Sequence, residues 1–183
     1  MRVSSRAMLL SRLETVFEDR GYEGATLNQL AEACGLGKAS LYHHFPGGKP
    51  EMAAVLLREA VARLESQAFA RLQSPEPAAQ RLARFIEGFA DYTQQGERNC
   101  LVAVFSQGSA ADAHAEAVAA QFETWLQRLS AVFEDTGARP KRAQREAAAL
   151  LAGLYGYLLT ARLLRDPASF RRGLKRLRKT LPD

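Results

Sequence analysis

The stretch LNQLAEACGLGKASLYHHF, residues 27–45, decides how the 183-residue chain is read. Leu27, Leu30, Ala31 and Cys34 recur at helical spacing, with Thr26 and Gln29 ahead of them in the pattern of a capping box. Gly35 stands where a left-handed residue closes a helix. A second helical pattern starts near Gly37, with Leu36 and Leu41 placed for a hydrophobic staple. At 100° per residue Leu41 and Phe45 share one face of it. Ala39 and His43 fall opposite, Ser40 and Tyr42 lie on the flanks, and Lys38 is at the start. Two short helices joined at a glycine, the second with a slim polar outer face, form a helix-turn-helix arrangement. Ala39 and Ser40 are small enough to let that helix lie against base edges.

Outward from this stretch, helical spacing continues nearly everywhere and no sustained alternation marks a strand. Leu9, Leu10, Leu13, Val16 and Phe17 form a first helix ending at Gly21. The segment PGGKP at 46–50 breaks the pattern, and a long helix is expected from about residue 51 to 72. SPEP at 74–77 precedes a helix with Leu82, Phe85, Ile86, Phe89 and Ala90 on its apolar face, and residues 100–106 are apolar nearly all round. After a break at Gly108 and Ser109, a helix is expected at 113–135, closed by Gly137. Another runs from Pro140 to about Leu164, and a basic one follows Asp166 and Pro167. The expectation is an all-α chain of about nine helices.

Composition bounds the function. Apolar residues make up 47% of the chain and charged residues 25%, as in a globular domain rather than a disordered one. The net charge of +5 is unevenly placed. Residues 1–138 carry 13 basic and 17 acidic residues, and residues 139–183 carry 12 and 3. The opening 58 residues hold 7 basic and 6 acidic, so the overall basicity does not by itself argue for nucleic acid. Cys34 and Cys100 have no zinc or redox spacing, which fits a reducing compartment. His43 and His44 point about 100° apart and cannot share a metal, the other histidine being His114. No signal-peptide pattern is present, and the uncharged run at 147–161 is shorter than the roughly 20 residues of a membrane-spanning helix. A cytoplasmic protein without membrane, metal or cofactor is expected. There is no GxSxG, HExxH or Gly-rich phosphate loop, and Ser106 and Ser109 lack a histidine partner, so no enzyme is expected.

The run 21–52, with Thr26, the core LAEACGLGKASLYHHF and Lys49, resembles the DNA-binding motif of the TetR family of transcriptional regulators. HHFPGGKPEM is similar to the LmrA/YxaF-like branch, although two glycines and two prolines surround Lys49 where many members run from Ser or Asn into Lys. The likeness covers roughly residues 5–58, and the rest agrees in length and helix pattern. It implies a helix-turn-helix domain at 1–50 and a ligand-binding and dimerisation bundle at 51–183. Within the first, Thr26, Tyr42 and Lys49 are implied to contact phosphates. Lys38, Ala39 and His43, with Ser40 beside them, would face bases in the major groove. Thr26 also serves as a plain helix cap, and Tyr42 as a cover for the helix pair. His44 reads as packed or capping.

Aromatic residues concentrate beyond residue 60, where core packing is their ordinary use. The resemblance implies a cavity among them for a small molecule. Phe69, Phe85, Phe89, Tyr92, Phe105, Gln121, Trp125 and Tyr155 are its candidate lining, with Gln107 a further polar group. Such a lining favours an apolar or aromatic effector held by a few polar groups. The run 147–161 is apolar on every side and must be buried all round. Ala149, Ala152, Gly153, Gly156 and Leu159 are its candidate dimer contacts, the alternative being the bundle's central helix. In the last helix Phe170, Leu174, Leu177 and Leu181 form an apolar stripe among basic residues. That pattern suits a solvated face, or else an acidic partner or membrane surface. The reading is a ligand-responsive dimeric repressor of a palindromic double-stranded DNA operator. The alternative is a helical small-molecule-binding or interaction protein that has lost DNA binding.

Overall fold

A computed structural model describes residues 6–107 and 109–182, apart from the side chains of 109–114. Gly108, read as part of a break, and the His114 side chain lie outside the described residues. Among those residues there are nine α-helices, two 3-10 turns and no strand. The helices are α1 (Arg6–Gly24), α2 (Leu27–Cys34), α3 (Lys38–His44), α4 (Gly48–Gln67), α5 (Ala78–Tyr92), α6 (Leu101–Phe105), α7 (Ser109–Asp135), α8 (Pro140–Leu164) and α9 (Pro167–Lys179).

Packing gathers these into two compact units. One holds the chain through Val61 together with Cys100–Val118, and the other holds Ala62–Asn99 with Ala119–Asp183. A division at residue 50 therefore falls inside α4, and α6 joins the first helices. The physical reason is aromatic. Phe105 of α6 meets Phe17 of α1 edge-on at 5.2 Å between ring centroids, and both rings are fully buried. In the same unit Leu9, Leu13, Leu30, Leu41 and Phe45 are buried, and each such side chain contributes roughly 1.5–3 kcal/mol relative to exposure. At Gly21 the backbone of α1 turns through φ 69, the point where the apolar pattern ended, before a last turn to Gly24.

The long fourth helix begins and ends earlier than its pattern implied. It starts at Gly48 because Pro50 falls in the first turn, where the missing N–H costs nothing. It stops at Gln67, and Phe69–Gln73 continues as a 3-10 turn. The cause lies on α5. A Cβ at Gly88 would stand 2.1 Å from the Gln67 carbonyl oxygen and 2.6 Å from the Ala68 Cα, so two backbones touch where only glycine fits.

In the second unit α8 packs along α9, and Phe170 is fully buried against Gly96, which takes φ 93. Asp166 caps α9 by accepting from Ala168 N–H at 2.9 Å. Its hydrogen bond with Arg172 holds the carboxyl below the usual carboxylate range. By length and composition α8 could cross a membrane, and the core helix of a globular domain passes the same test. Gly88→Ala is expected to destabilise the protein by about 1–3 kcal/mol through overpacking, read as a lower denaturation midpoint by circular dichroism. Unchanged stability would mean that the two backbones separate freely.

Candidate nucleic-acid interface

α2 is capped at both ends, by a side-chain box at its start and by backbone geometry where it turns toward α3. Thr26 is extended, and its hydroxyl oxygen accepts from Gln29 N–H at 3.3 Å while Gln29 Oε1 accepts from Thr26 N–H at 3.1 Å. The same hydroxyl donates to Gln29 Oε1 at 3.0 Å, so a phosphate oxygen has to compete for that proton. Gly35 takes φ 67 and Leu36 N–H returns to Ala31 carbonyl at 2.9 Å, which satisfies the last carbonyls of α2. Arg12 Nη1 donates to Cys34 carbonyl at 3.1 Å, tying α1 to that helix end. Burial pushes the Cys34 thiol up, and the nearby Arg12 acts in the opposite direction.

In α3 Leu41 is the single buried side chain. Lys38, Ala39, Ser40, Tyr42 and His43 are exposed together, and His44 is half-buried. Tyr42 is 43% exposed and leans on Gly48, whose φ is +65. A Cβ there would stand 3.2 Å from the tyrosine ring. Glu51 accepts from Gly47 N–H at 2.7 Å and so caps the start of α4. Lys49, one residue beyond Gly48, holds its Nζ 4.3 Å from the centroid of the Tyr22 ring. Thus Lys38, Ala39, Ser40, Tyr42 and His43 are exposed together on α3, and Tyr42 leans on the start of α4, where Lys49 follows.

The candidate effector residues divide. Phe69 stacks on Trp125 at 4.7 Å and 11°, and Phe69 meets Phe85 at 4.8 Å. Phe89 touches Tyr155 at 5.3 Å, and Tyr155 reaches Phe122 at 5.7 Å. Phe69, Phe85, Phe89 and Trp125 are buried, whereas Tyr92, Gln121 and Tyr155 are half-buried. Phe105 lies apart from them, against Phe17 and Tyr22 in the first unit, and Gln107 is exposed. Glu65 organises the polar edge of the cluster. It accepts from Trp125 Nε1 at 2.5 Å, Gln121 Nε2 at 3.1 Å and Arg128 Nη1 at 2.6 Å. Two grooves of about 330 and 430 Å³ are lined by other residues, the larger by Leu126, Ser130, Ala131 and Ala148 among others. Among the described residues no three His, Cys, Asp or Glu side chains cluster as metal ligands.

Residues 9–55 match the family model of bacterial regulatory proteins of the tetR family, and residues 57–175 match that of the LmrA/YxaF-like transcriptional regulator C-terminal domain. The chain belongs to the TetR family, in its LmrA/YxaF-like branch. It is 44% identical to the regulator LmrA of Bacillus subtilis over 55 residues, 30% of this chain and 29% of that protein. With the transcriptional activator FasR of Mycolicibacterium smegmatis it shares 30% identity over 156 residues, 82% of this chain and 69% of FasR. Its fold matches a TetR regulator from Legionella pneumophila at a TM-score of 0.79 and 18% identity, over 99% of this chain and 100% of the other.

Within this TetR-family chain, α8 is not buried all round. Ala143, Ala147, Leu150, Leu151, Leu154, Leu158 and Ala161 face inward, while Ala149, Ala152, Gly156 and Leu159 are exposed, Leu159 at 60%. Leu163 and Leu164 extend the open face. Gly153 does not share it. A Cβ there would meet Leu177 at 2.7 Å, so its role is close approach of α9 within the chain. No motif marked Glu65, Arg128 or Tyr22, each of which has a partner distant in sequence. The one available signal was a carboxylate at helical spacing among Val61, Leu64 and Ala68. Replacing Thr26 by Ala is expected to cost about 1 kcal/mol of stability through the lost cap, and Thr26→Ser should retain most of it. Chemical denaturation of the three proteins checks this, and equal midpoints would remove the capping role.

Proposed function

We propose that the protein is a dimeric, ligand-responsive repressor that binds a palindromic operator and leaves it when a small apolar or aromatic molecule is bound. It acts in the cytoplasm, where the chromosome lies. The observation that carries this is the exposed row on α3. The exposure of Lys38, Ala39, Ser40 and His43 supports contacts with base edges, and the positions of Tyr42 and Lys49 near the start of α4 support contacts with phosphates. Thr26 supplies a third phosphate contact once its hydroxyl turns from Gln29. The open face of α8 supports pairing with a second copy, since a lone protomer leaves Leu159, Leu163 and Leu164 in water. The rings around Trp125, with Glu65 and Gln121 at their edge, support an effector site in the second unit.

A second reading, a binding protein that no longer engages DNA, is favoured by the near-neutral first 58 residues. Salt titration of duplex binding separates the two, because phosphate contacts give a steep fall of affinity with salt. Tyr42→Phe and Lys49→Ala should each weaken operator and mixed-sequence DNA alike, by about 1 kcal/mol. A change of sequence preference in either variant would contradict a phosphate role. Gly156→Glu introduces a charge where nothing beyond the helix's own nearby backbone lies within 4 Å of the new Cβ. It should leave the protomer folded and halve the sedimenting mass, and a wild-type monomer at micromolar concentration would end the dimer proposal. Effector and operator must weaken each other by one common factor. Any compound that quenches Trp125 should therefore bind less tightly with operator present, and equal affinities would mean a pocket without control.

A further inference from the structure

We propose that Tyr22 is a positioning residue for Lys49: its ring face holds the lysine ammonium where that charge meets a DNA phosphate. The inference rests on the DNA-binding reading above. Lys49 Nζ lies 4.3 Å from the Tyr22 ring centroid, well inside cation–π range. Among the described residues this cation has no carboxylate partner, and Glu51, the nearest acid in sequence, is engaged by Gly47 N–H. A lysine in the first turn of a helix is electrostatically misplaced, because the N-terminal end of the macrodipole is positive. Stability of α4 therefore does not explain Lys49, whereas an anion brought to the helix start does.

The platform itself is fixed from the core side. Tyr22 lies nearly parallel to Phe17, 6.1 Å and 10° apart, and edge-on to Phe105 at 6.3 Å and 81°. Phe17 and Phe105 are fully buried and touch each other, so the half-buried tyrosine ring cannot turn freely. Burial, followed by the charge of Glu23, pushes the Tyr22 hydroxyl above its ordinary range, which keeps the ring neutral. A long lysine side chain loses rotamer freedom when it binds a phosphate, and ordering it beforehand lowers that cost. Tyr42, leaning on the adjacent Gly48, brings its hydroxyl to the same helix start.

The test is a double-mutant cycle on binding to a labelled duplex of mixed sequence at low salt. It is paired with NMR of the Lys49 ε-methylene group in the DNA-free protein. Tyr22→Leu should weaken binding about two- to fivefold in the wild-type background and change nothing in the Lys49→Gln background. Tyr22→Phe should bind like wild type, since the ring face is kept. The ε-methylene resonance should be shifted upfield by the ring current in wild type and Tyr22→Phe, and lose that shift in Tyr22→Leu. An equal loss from Tyr22→Leu in both backgrounds would reduce the ring to a packing role and overturn the proposal. So would Tyr22→Phe behaving like Tyr22→Leu, or an unshifted wild-type resonance. A wild-type protein that fails to bind duplex at all, with the ring-current shift present, would instead overturn the DNA-binding reading and with it the use assigned to the platform.

Discussion

Leu41 is the only side chain that α3 buries, and a helix of seven residues cannot persist in water on its own hydrogen bonds. With Phe45 just beyond its end, this leucine anchors α3 to a core that also holds Leu30 and Leu13. The rest of the helix is thereby released from packing and can carry whatever side chains a partner demands. The same economy governs the α2–α3 turn. Gly35 in the left-handed region and the Leu36 N–H returned to Ala31 close the end of α2, and none of the exposed α3 residues takes part. Recognition residues can therefore change without disturbing the scaffold that presents them.

The second unit solves a different problem, the placing of polar groups beside a dense aromatic cluster. Trp125 is fully buried, so its indole N–H needs an acceptor, and Glu65 provides one. The charge that this brings inside is met by Arg128, which also donates to Phe69 carbonyl at 2.9 Å and lies 5.4 Å from the Phe69 ring centroid. One carboxylate thus ties the end of α4, the following 3-10 turn and α7 together. Removing it would leave the buried indole N–H without its acceptor, whereas Arg128 would keep the Phe69 carbonyl.

What the sequence made legible follows from range. Most local signals held, though PGGKP put the start of α4 too late: the Thr26–Gln29 box, Gly35 and the proline at the start of α8 act within one turn, and the structure has each where the pattern put it. The all-α class follows from such signals repeated, and the TetR likeness from the resemblance carried by residues 21–52. The end of α4 was not legible, because it is set by Gly88, some twenty residues away in the chain. Gly153 and Gly156 looked alike on an apolar helix, yet only the first meets Leu177, a contact decided by how α9 returns. Phe105 was grouped with the bundle rings by composition, whereas α6 delivers it to Phe17. Lys49 was readable as a cation near a helix start, but its seat on Tyr22 depends on a contact across 27 positions.

Cys34 has a kinetic consequence of its own. Its sulfur is buried at the end of α2 and directed to Leu9 carbonyl at 3.9 Å, with the thiol driven toward its unreactive form. A water-soluble alkylating reagent cannot reach it until α2 lifts from α1, so the rate of labelling measures how often that happens. The protein therefore contains its own clock for the opening of the helix-turn-helix, and bound DNA should slow it by closing the open state.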